Sequence, residues 1–465
     1  MMFTNNWGIT KMKPVVFVAM PFGEKKDPTT GKIINFDDIY EKAIKPLNND
    51  EELGLEVLRA CDENVSGIIH RPMYERLLLA EYVIADVSIH NPNVFYELGV
   101  RHCAKPMTTF IIFSTPLPFD IQPLRAIFYE LKQGQISQES ADNLKNQLKE
   151  KLLRAKTSKD KDSPIFELIP ELNSTINLPE EYTKAFKERA IKINKIRNEI
   201  EDIRNQFKIT KNYDLKSKLI EIRNSFGDYN ELHEALLIEI IRAFKALEAY
   251  DLMLESIELV PEEIYNNSIL LHQYKAFGLN RLQSHENSHK AIRILEKSIE
   301  DFGKNSETFG LLGRVYRDLY NETSEKFPYE KEAYLDKSID SYKKGFLFDP
   351  RDSYPGINAA KLLLFKGAIS EMENLIPSIE LAIGRLDESD NDFWVQATRI
   401  ECLLLKKDWI NVKLQLGALL SIPESPWKYQ TMKDSLLMVK QGFEKQNIET
   451  EAINGVIDTL TLRLS

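Results

Sequence analysis

The sequence predicts an α/β domain with a parallel sheet, followed by an all-α domain of helical repeats. Short apolar runs alternate with amphipathic helices from Pro14 to Gly134, which is typical of βαβ units. After Leu178 the strand pattern stops, and pairs of amphipathic helices continue along the chain. At 465 residues the chain is longer than one usual hydrophobic core, which also favours separate domains.

The α/β domain is expected to hold four buried strands with helices between them. The first strand ends at Pro21-Phe22-Gly23, and the polar stretch 24–34 that follows is interpreted as a flexible loop. The predicted strands are Val15–Met20, Leu55–Ala60, Tyr82–Val87 and Thr108–Phe113, and the predicted helices are Asp37–Lys45, Ile68–Ala80 and Asn93–Cys103.

Two groups of residues match the two helices of a tetratricopeptide unit and its terminating proline. The first group is Phe309, Leu312, Gly313 and Tyr316, and the second is Ser338, Tyr342, Gly345 and Pro350. The unit is longer than usual because Asn321–Tyr334 is inserted between its helices. We interpret the region as degenerate tetratricopeptide repeats, which need stacked neighbours to bury their apolar faces.

A polar, lysine-rich segment punctuated by prolines separates the two predicted domains. The predicted organisation is a tail at 1–13, the α/β domain at 14–134, a linker region with helical segments at 135–180 and the tetratricopeptide-like domain at 181–465.

Composition limits the classes of partner and compartment. The net charge of −10 argues against a surface that is basic throughout, so no nucleic-acid partner is expected. Cys61, Cys103 and Cys402 lie far apart without a CxxC motif, which predicts a reduced, cytoplasmic location and no zinc site. The polar N-terminus and the lack of a long apolar run predict neither a signal peptide nor a membrane partner.

The turn after the third strand carries the predicted small-molecule site. In open α/β sheets, ligands bind outside the carboxyl ends of the strands. Glu97, at the opening of the next helix, is the candidate nucleophile or stabiliser at a sugar C1, and Asp86 is expected to orient the sugar or base. The other candidate substrate-binding residues are Met20, Pro21, Phe22 and Gly23 after the first strand, and Ser88, Asn91 and Asn93 after the third.

Structural interpretations of the same residues stay open. An acid in a first helical turn is favoured by the helix dipole, and Asn91-Pro92 is a good N-cap and N1 pair. Residues 20–23 also fit a hydrophobic plug. The sequence has neither GxGxxG nor GxxxxGK[ST], and its histidines lack metal-ligand spacing, so no hydride-transfer site, NTPase, metal or cofactor is expected.

Two segments, Val16–Gly23 and Ala85–Gly99, resemble the nucleoside 2-deoxyribosyltransferase and TIR-like superfamily. Enzymes of that superfamily use a glutamate in an E-x-G setting to cleave the N-glycosidic bond of nucleosides or of NAD. The resemblance implies a flavodoxin-like or TIR-like fold, with Glu97 as that glutamate and Asp86 as the acid after the preceding strand. It also implies a nucleoside, a nucleotide or NAD as the substrate.

The helical part resembles the tetratricopeptide-like TRAF-binding region of apoptosis signal-regulating kinases. The matching segments are Tyr274–Arg281, Gly310–Asp318 and Tyr354–Leu363. In those kinases a thioredoxin-binding domain precedes this region, and its sequence is similar to Ala85–Val100. The resemblance implies a protein partner bound through the helical repeats, and a homo-oligomer is a further open expectation.

The sequence therefore leaves several functions open. The first is an enzyme that cleaves an N-glycosidic bond or processes a nucleotide and is regulated by the helical domain, in stress or defence signalling. The alternative is a non-catalytic signalling scaffold whose α/β domain binds a nucleotide ligand or a protein. A third hypothesis is thioredoxin-linked redox sensing through Cys61 or Cys103.

Overall fold

The structure is a computed structural model that divides into two compact units, Met1–Glu248 and Ala249–Ser465. The first unit contains a sheet and helices and the second contains helices, which confirms the predicted order of an α/β part and a helical part. The domain boundaries predicted at 134/135 and 180/181 remain predictions. The described residues are 13–27, 33–59, 70–119, 121–122, 124–158, 160–169, 171–172, 180–225, 231–384, 393–421 and 426–464.

Seven strands are described in the first unit, and five of them form a parallel sheet. In chain order the strands are β1 (Val15–Ala19), β2 (Glu24–Lys26), β3 (Ile33–Asn35), β4 (Glu56–Arg59), β5 (Tyr82–Asp86), β6 (Thr109–Phe113) and β7 (Ile127–Phe128). The sheet order is β4-β1-β5-β6-β7, and every residue of β1 and β5 is buried. The four predicted strands are confirmed to within one residue at each end. Strand β7 was not predicted because two residues are too short a run to show a pattern.

The segment after β1 differs from the predicted flexible loop. Strands β2 and β3 pair antiparallel, with Glu24 opposite Asn35. All three residues of β2 are exposed, so this pairing depends on backbone hydrogen bonds and leaves no apolar pattern in the sequence. The N-terminal tail up to residue 12, Cys61 and the predicted helix start at Ile68 lie outside the described residues.

Helices cover both faces of the sheet. Those of the first unit are α1 (Phe36–Ile39), α2 (His70–Leu79), α3 (Pro92–Ala104), α4 (Gln138–Ala155), α5 (Pro164–Leu168), α6 (Glu180–Thr210), α7 (Leu215–Asn224) and α8 (Glu231–Ala246). Side chains of α2, α3 and α6 pack with one face of β1 and β5, and those of α1 and α4 pack with the other. Helix α1 continues as a π-helical turn, Tyr40–Ile44, and a 3-10 helix, Lys45–Asn49, in place of the single predicted α-helix.

The second unit consists of helices throughout its described residues. They are α9 (Tyr250–Glu258), α10 (Glu262–Asn266), α11 (Ile269–Arg281), α12 (His285–Phe302), α13 (Ser306–Glu322), α14 (Pro328–Phe348), α15 (Ser353–Lys366), α16 (Ile369–Gly384), α17 (Phe393–Leu405), α18 (Trp409–Leu420), α19 (Pro426–Lys445) and α20 (Glu451–Leu464). Among the described residues of the whole chain, no helix is both long and apolar enough to cross a membrane.

Helices α13 and α14 form an antiparallel pair that depends on close approach at two glycines. A Cβ on Gly313 would lie 2.7 Å from Cγ of the buried Tyr342, and one on Gly345 would lie 3.2 Å from Cβ of Phe309. Ser338 Oγ also donates a hydrogen bond to the Gly313 carbonyl at 2.7 Å.

The predicted insertion between these helices is mostly helical, because α13 continues to Glu322 and α14 begins at Pro328. The extra residues therefore lengthen both helices.

We expect Gly313→Ala to destabilise the second unit by about 1–3 kcal/mol, because the new methyl group would clash with the fixed ring of Tyr342. The matched control is Gly310→Ala in the same helix. Its Cβ would lie 3.4 Å from Cε1 of the exposed Tyr354, and alanine favours the helix by about 1 kcal/mol. Thermal unfolding followed by circular dichroism compares the two. Equal melting temperatures would contradict the close packing.

Candidate ligand-binding site

The predicted site residues follow two strands that are neighbours in the sheet. Strands β1 and β5 pair in parallel with Ala19 opposite Ala85, so the segments after them lie at the same edge. The helix after β1 packs on one face of the sheet and the helix after β5 packs on the other. This is the point at which open α/β sheets form a crevice outside their strand ends.

Asp86 is completely buried at the end of β5 and holds the turn that follows. Its Oδ1 accepts hydrogen bonds from the Ser88 backbone N–H at 3.0 Å and from the Ser88 hydroxyl at 2.5 Å. Its Oδ2 accepts a hydrogen bond from the Tyr129 hydroxyl at 2.8 Å. Ser88 is also completely buried. Both residues therefore shape the turn from inside, and their predicted contacts with a sugar remain predictions.

The environment of Asp86 changes its acidity. Burial raises the pKa of Asp86 to about 6, although the hydrogen bonds from Ser88 and Tyr129 and the positive charge of Arg59 oppose the rise. Burial, together with the Asp86 carboxylate, raises the pKa of Tyr129 well above its usual value. A carboxyl group with a pKa of about 6 thus lies beneath the predicted site.

Three residues that were not predicted from the sequence, Tyr129, Ser114 and Thr115, complete this network. The Ser114 backbone N–H donates a hydrogen bond to Ser88 Oγ at 3.0 Å, and Thr115 Oγ1 donates one to the Ser88 carbonyl. These residues follow β6 and β7, whose carboxyl ends lie along the same edge as that of β5. A search for polar residues after every strand would have found Ser114 and Thr115, whereas β7 itself was not predicted.

The segment Met20–Gly23 after β1 is fixed by Arg59 at the end of β4. Met20 and Pro21 are buried, and the Pro21 carbonyl accepts a hydrogen bond from Arg59 Nη2 at 2.6 Å. The Arg59 guanidinium lies 4.3 Å from the centre of the Phe22 ring. Gly23 has a φ of +62°, a conformation that favours glycine. One face of the Phe22 ring is thus occupied by a cation, and the predicted contact of this segment with a substrate remains a prediction.

Asp37 of α1 completes the attachment of this segment. Its Oδ1 accepts a hydrogen bond from the Gly23 N–H at 3.0 Å and pairs with Arg59 Nη1 at 2.8 Å. The Phe36 N–H donates a hydrogen bond to the Gly23 carbonyl at 3.0 Å. The segment is therefore held on both sides, by α1 and by β4.

The polar residues predicted at the start of α3, which are Asn91, Asn93 and Glu97, differ in their position on the helix and in their exposure. Asn91 is the N-cap, and its side chain accepts hydrogen bonds from the N–H groups of Asn93 at 2.9 Å and Val94 at 3.4 Å. Pro92 occupies the first helical position, so the predicted N-cap and N1 pair is confirmed. Asn93 is exposed. Glu97 is half-buried in the second turn of α3 and not in the predicted first turn, where the helix dipole acts most strongly.

Residues 94–457 of the chain match the MAP3K TRAFs-binding domain family. Because the match covers most of the chain, the chain belongs to this family, which confirms the predicted resemblance of the helical part to the TRAF-binding region of such kinases. The TIR-like and deoxyribosyltransferase-like character predicted for the first unit remains a prediction.

Two mammalian kinases are among the relatives. Mitogen-activated protein kinase kinase kinase 15 of Mus musculus is 23% identical over 256 residues, which cover 53% of this chain and 19% of that kinase. Mitogen-activated protein kinase kinase kinase 5 of Homo sapiens is 21% identical over 252 residues, which cover 52% of this chain and 18% of that kinase. The aligned part is thus about half of this chain and about a fifth of either kinase.

We expect the buried Asp86 to make the sheet less stable as the pH rises. Its pKa in the folded protein is about 6, above the usual 3.8, so the unfolded state loses the proton first and the stabilising contribution is lost as pH increases through about 6. Between about pH 5 and pH 7 this amounts to roughly 1 kcal/mol. Hydrogen exchange of β1 and β5 amides, converted to free energies of opening, measures it.

The control variant for this pH dependence is Asp86→Asn, whose amide keeps the shape and can donate to the Tyr129 hydroxyl. Asp162 also has a pKa raised to about 6 by burial, so only the difference between wild type and variant isolates Asp86. The variant should show a flatter pH dependence by about 1 kcal/mol. An unchanged slope would show that Asp86 does not titrate in this range.

Proposed function

We propose that this chain is a signalling scaffold whose helical unit binds a protein partner of the TRAF class. The observation that carries this proposal is the match of residues 94–457 to the MAP3K TRAFs-binding domain family. That range includes nearly all of the second unit, Ala249–Ser465. The two relatives are named as kinases of mitogen-activated protein kinase cascades, which supports a role in signalling.

The geometry of the second unit supports the tetratricopeptide-like part of this proposal. In α13 and α14, the small residues Gly313 and Gly345 allow the two helices of a pair to approach closely. Helices α9, α11, α13 and α15 contact one another in sequence, as do the first helices of stacked pairs. Such stacking creates an extended surface suited to a protein partner.

A second candidate function, the processing of a nucleoside, nucleotide or NAD by the first unit, is favoured by the strand order. With its five parallel strands renumbered in chain order, the sheet reads 2-1-3-4-5, the order found in flavodoxin-like folds. Glu97 would then act on the sugar C1 from α3, and Phe22 would contact the base. In this proposal Asp86 acts as a positioning residue, because its oxygens bind Ser88 and Tyr129.

The scaffold proposal predicts saturable binding of the full chain to at least one TRAF protein. Surface plasmon resonance with a panel of purified TRAF proteins measures the affinity, and an unrelated protein of similar charge is the negative control. Glu97→Gln should bind with the same affinity as wild type, because position 97 lies in the first unit. If a folded chain bound none of the panel, the proposed partner class would be wrong.

The enzyme candidate predicts that the full chain releases nicotinamide from NAD or a free base from a nucleoside, and that Glu97→Gln abolishes the release. Removing a nucleophilic carboxylate while keeping its size should lower the rate at least 10³-fold, as for other covalent nucleophiles. Chromatography of a substrate panel measures the products, and Glu130→Gln, at an exposed position, is the matched control. Equal turnover by wild type and Glu97→Gln would exclude the assigned role.

A further inference from the structure

Three arginines of the second unit converge on one face of α11 and α13. Arg281 and Arg314 both lie beside the Phe277 ring, with guanidinium carbons 5.1 Å and 5.9 Å from its centre. Arg317 donates hydrogen bonds to Asp318 Oδ1 from Nε at 3.4 Å and from Nη2 at 3.2 Å. We name this set, Arg281, Arg314 and Arg317, the arginine face.

The positive charge of the arginine face is only partly balanced. Asp318 pairs with Arg317, and its Oδ2 lies 4.0 Å from Arg314 Nε while it accepts a hydrogen bond from Asn280 Nδ2 at 2.7 Å. Among the described residues, Arg314 Nε has no hydrogen-bond partner. Within the part of the chain that the structure describes, Asp318 is thus the carboxylate that lies closest to all three guanidinium groups, in a chain whose net charge is −10.

The neighbouring guanidinium groups disfavour the charged form of Arg281. Burial lowers the pKa of Arg281, and the guanidinium groups of Arg314 and Arg317 lower it further. Clustering like charges costs free energy, and an anion bound between them removes that cost. Two aromatic rings hold Arg281 in place, since its guanidinium carbon also lies 6.0 Å from the centre of the Tyr250 ring.

Aromatic side chains beside the arginine face widen the surface to four helices. Tyr250 is on α9, Phe277 on α11 and Tyr354 on α15, and α13 carries the central arginines. Tyr354 is 44% exposed and lies near Arg317. Neighbouring helices lie roughly 9 Å apart, so the surface is about 27 Å long. That length matches an extended peptide of about eight residues and far exceeds a single phosphate group.

We propose that the arginine face binds an acidic segment of a partner protein, through charge-assisted hydrogen bonds from its guanidinium groups to carboxylates. This inference rests on the proposed function, since it assigns the chemistry by which the helical unit recognises its protein partner. Arginine suits the role because its planar fork matches a carboxylate and is always charged. The aromatic rings would contact side chains between the acidic residues.

The test is fluorescence anisotropy of the full chain with a short, labelled glutamate-rich peptide. Wild type should bind saturably, and Arg314→Gln should weaken binding about tenfold, the effect of losing one charge-assisted hydrogen bond. The matched control is Arg293→Gln, at an exposed position of α12 outside the arginine face, which should bind like wild type. No saturable binding, or equal loss in both variants, would overturn the proposal.

Asp318→Asn separates recognition from misfolding, because it removes the carboxylate that competes with the peptide. It should bind the peptide more tightly than wild type, which a damaged fold could not do; weaker or unchanged binding would overturn the proposal. Inorganic phosphate serves as the competing probe, and complete displacement of the peptide at equimolar phosphate would assign a small-anion site instead.

The same variants separate this inference from the proposed function. If a TRAF protein binds wild type and Arg314→Gln equally, the scaffold proposal stands and the arginine face is not its contact. If the peptide binds in an arginine-dependent way while no TRAF protein binds, the acidic-segment inference stands and the partner class is wrong.

Discussion

The parallel pairing of β1 with β5 is the constraint on which the first unit depends. Both strands are buried along their whole length, so alternate side chains must fill two separate apolar layers, one against α2, α3 and α6 and one against α1 and α4. Because the chain leaves these strands toward opposite faces, polar segments meet between them at the carboxyl edge. The position of the candidate site is thus a consequence of core packing.

The buried carboxyl group at that edge is held by a chain of hydroxyl groups. The hydroxyls of Ser88 and Tyr129 lie 2.8 Å apart, and each also contacts an oxygen of Asp86. Each of these three oxygen–oxygen contacts needs one proton to form a hydrogen bond, and the two hydroxyl groups supply only two. A protonated carboxyl group supplies the third proton. The geometry therefore agrees with the raised pKa, because a proton bound to Asp86 below about pH 6 would fill this contact.

Short sequence patterns correctly predicted those elements whose structure depends on neighbouring residues in the chain. The buried strands, the turn after β5 and the Asn91 cap follow from apolar runs and from residues adjacent in sequence. Arg59 and Tyr129 were missed because they reach the site from other strands, and no spacing in the sequence links them to Asp86. The full lengths of α13 and α14 were also not predicted. When a repeat of the usual length is fitted to the sequence, extra residues look like an insertion between the helices, whereas here they lengthen both helices.

The stacking of Arg59 on Phe22 limits how any planar molecule could enter the first unit. One face of the ring is covered by a guanidinium that is itself tied to Asp37 and to the Pro21 carbonyl. A heterocycle would therefore have to approach Phe22 from the opposite side, or else displace a cation anchored at two other points. For the nucleoside-processing function proposed above as the second candidate, this asymmetry would set the orientation of the base and the side of the sugar turned toward α3.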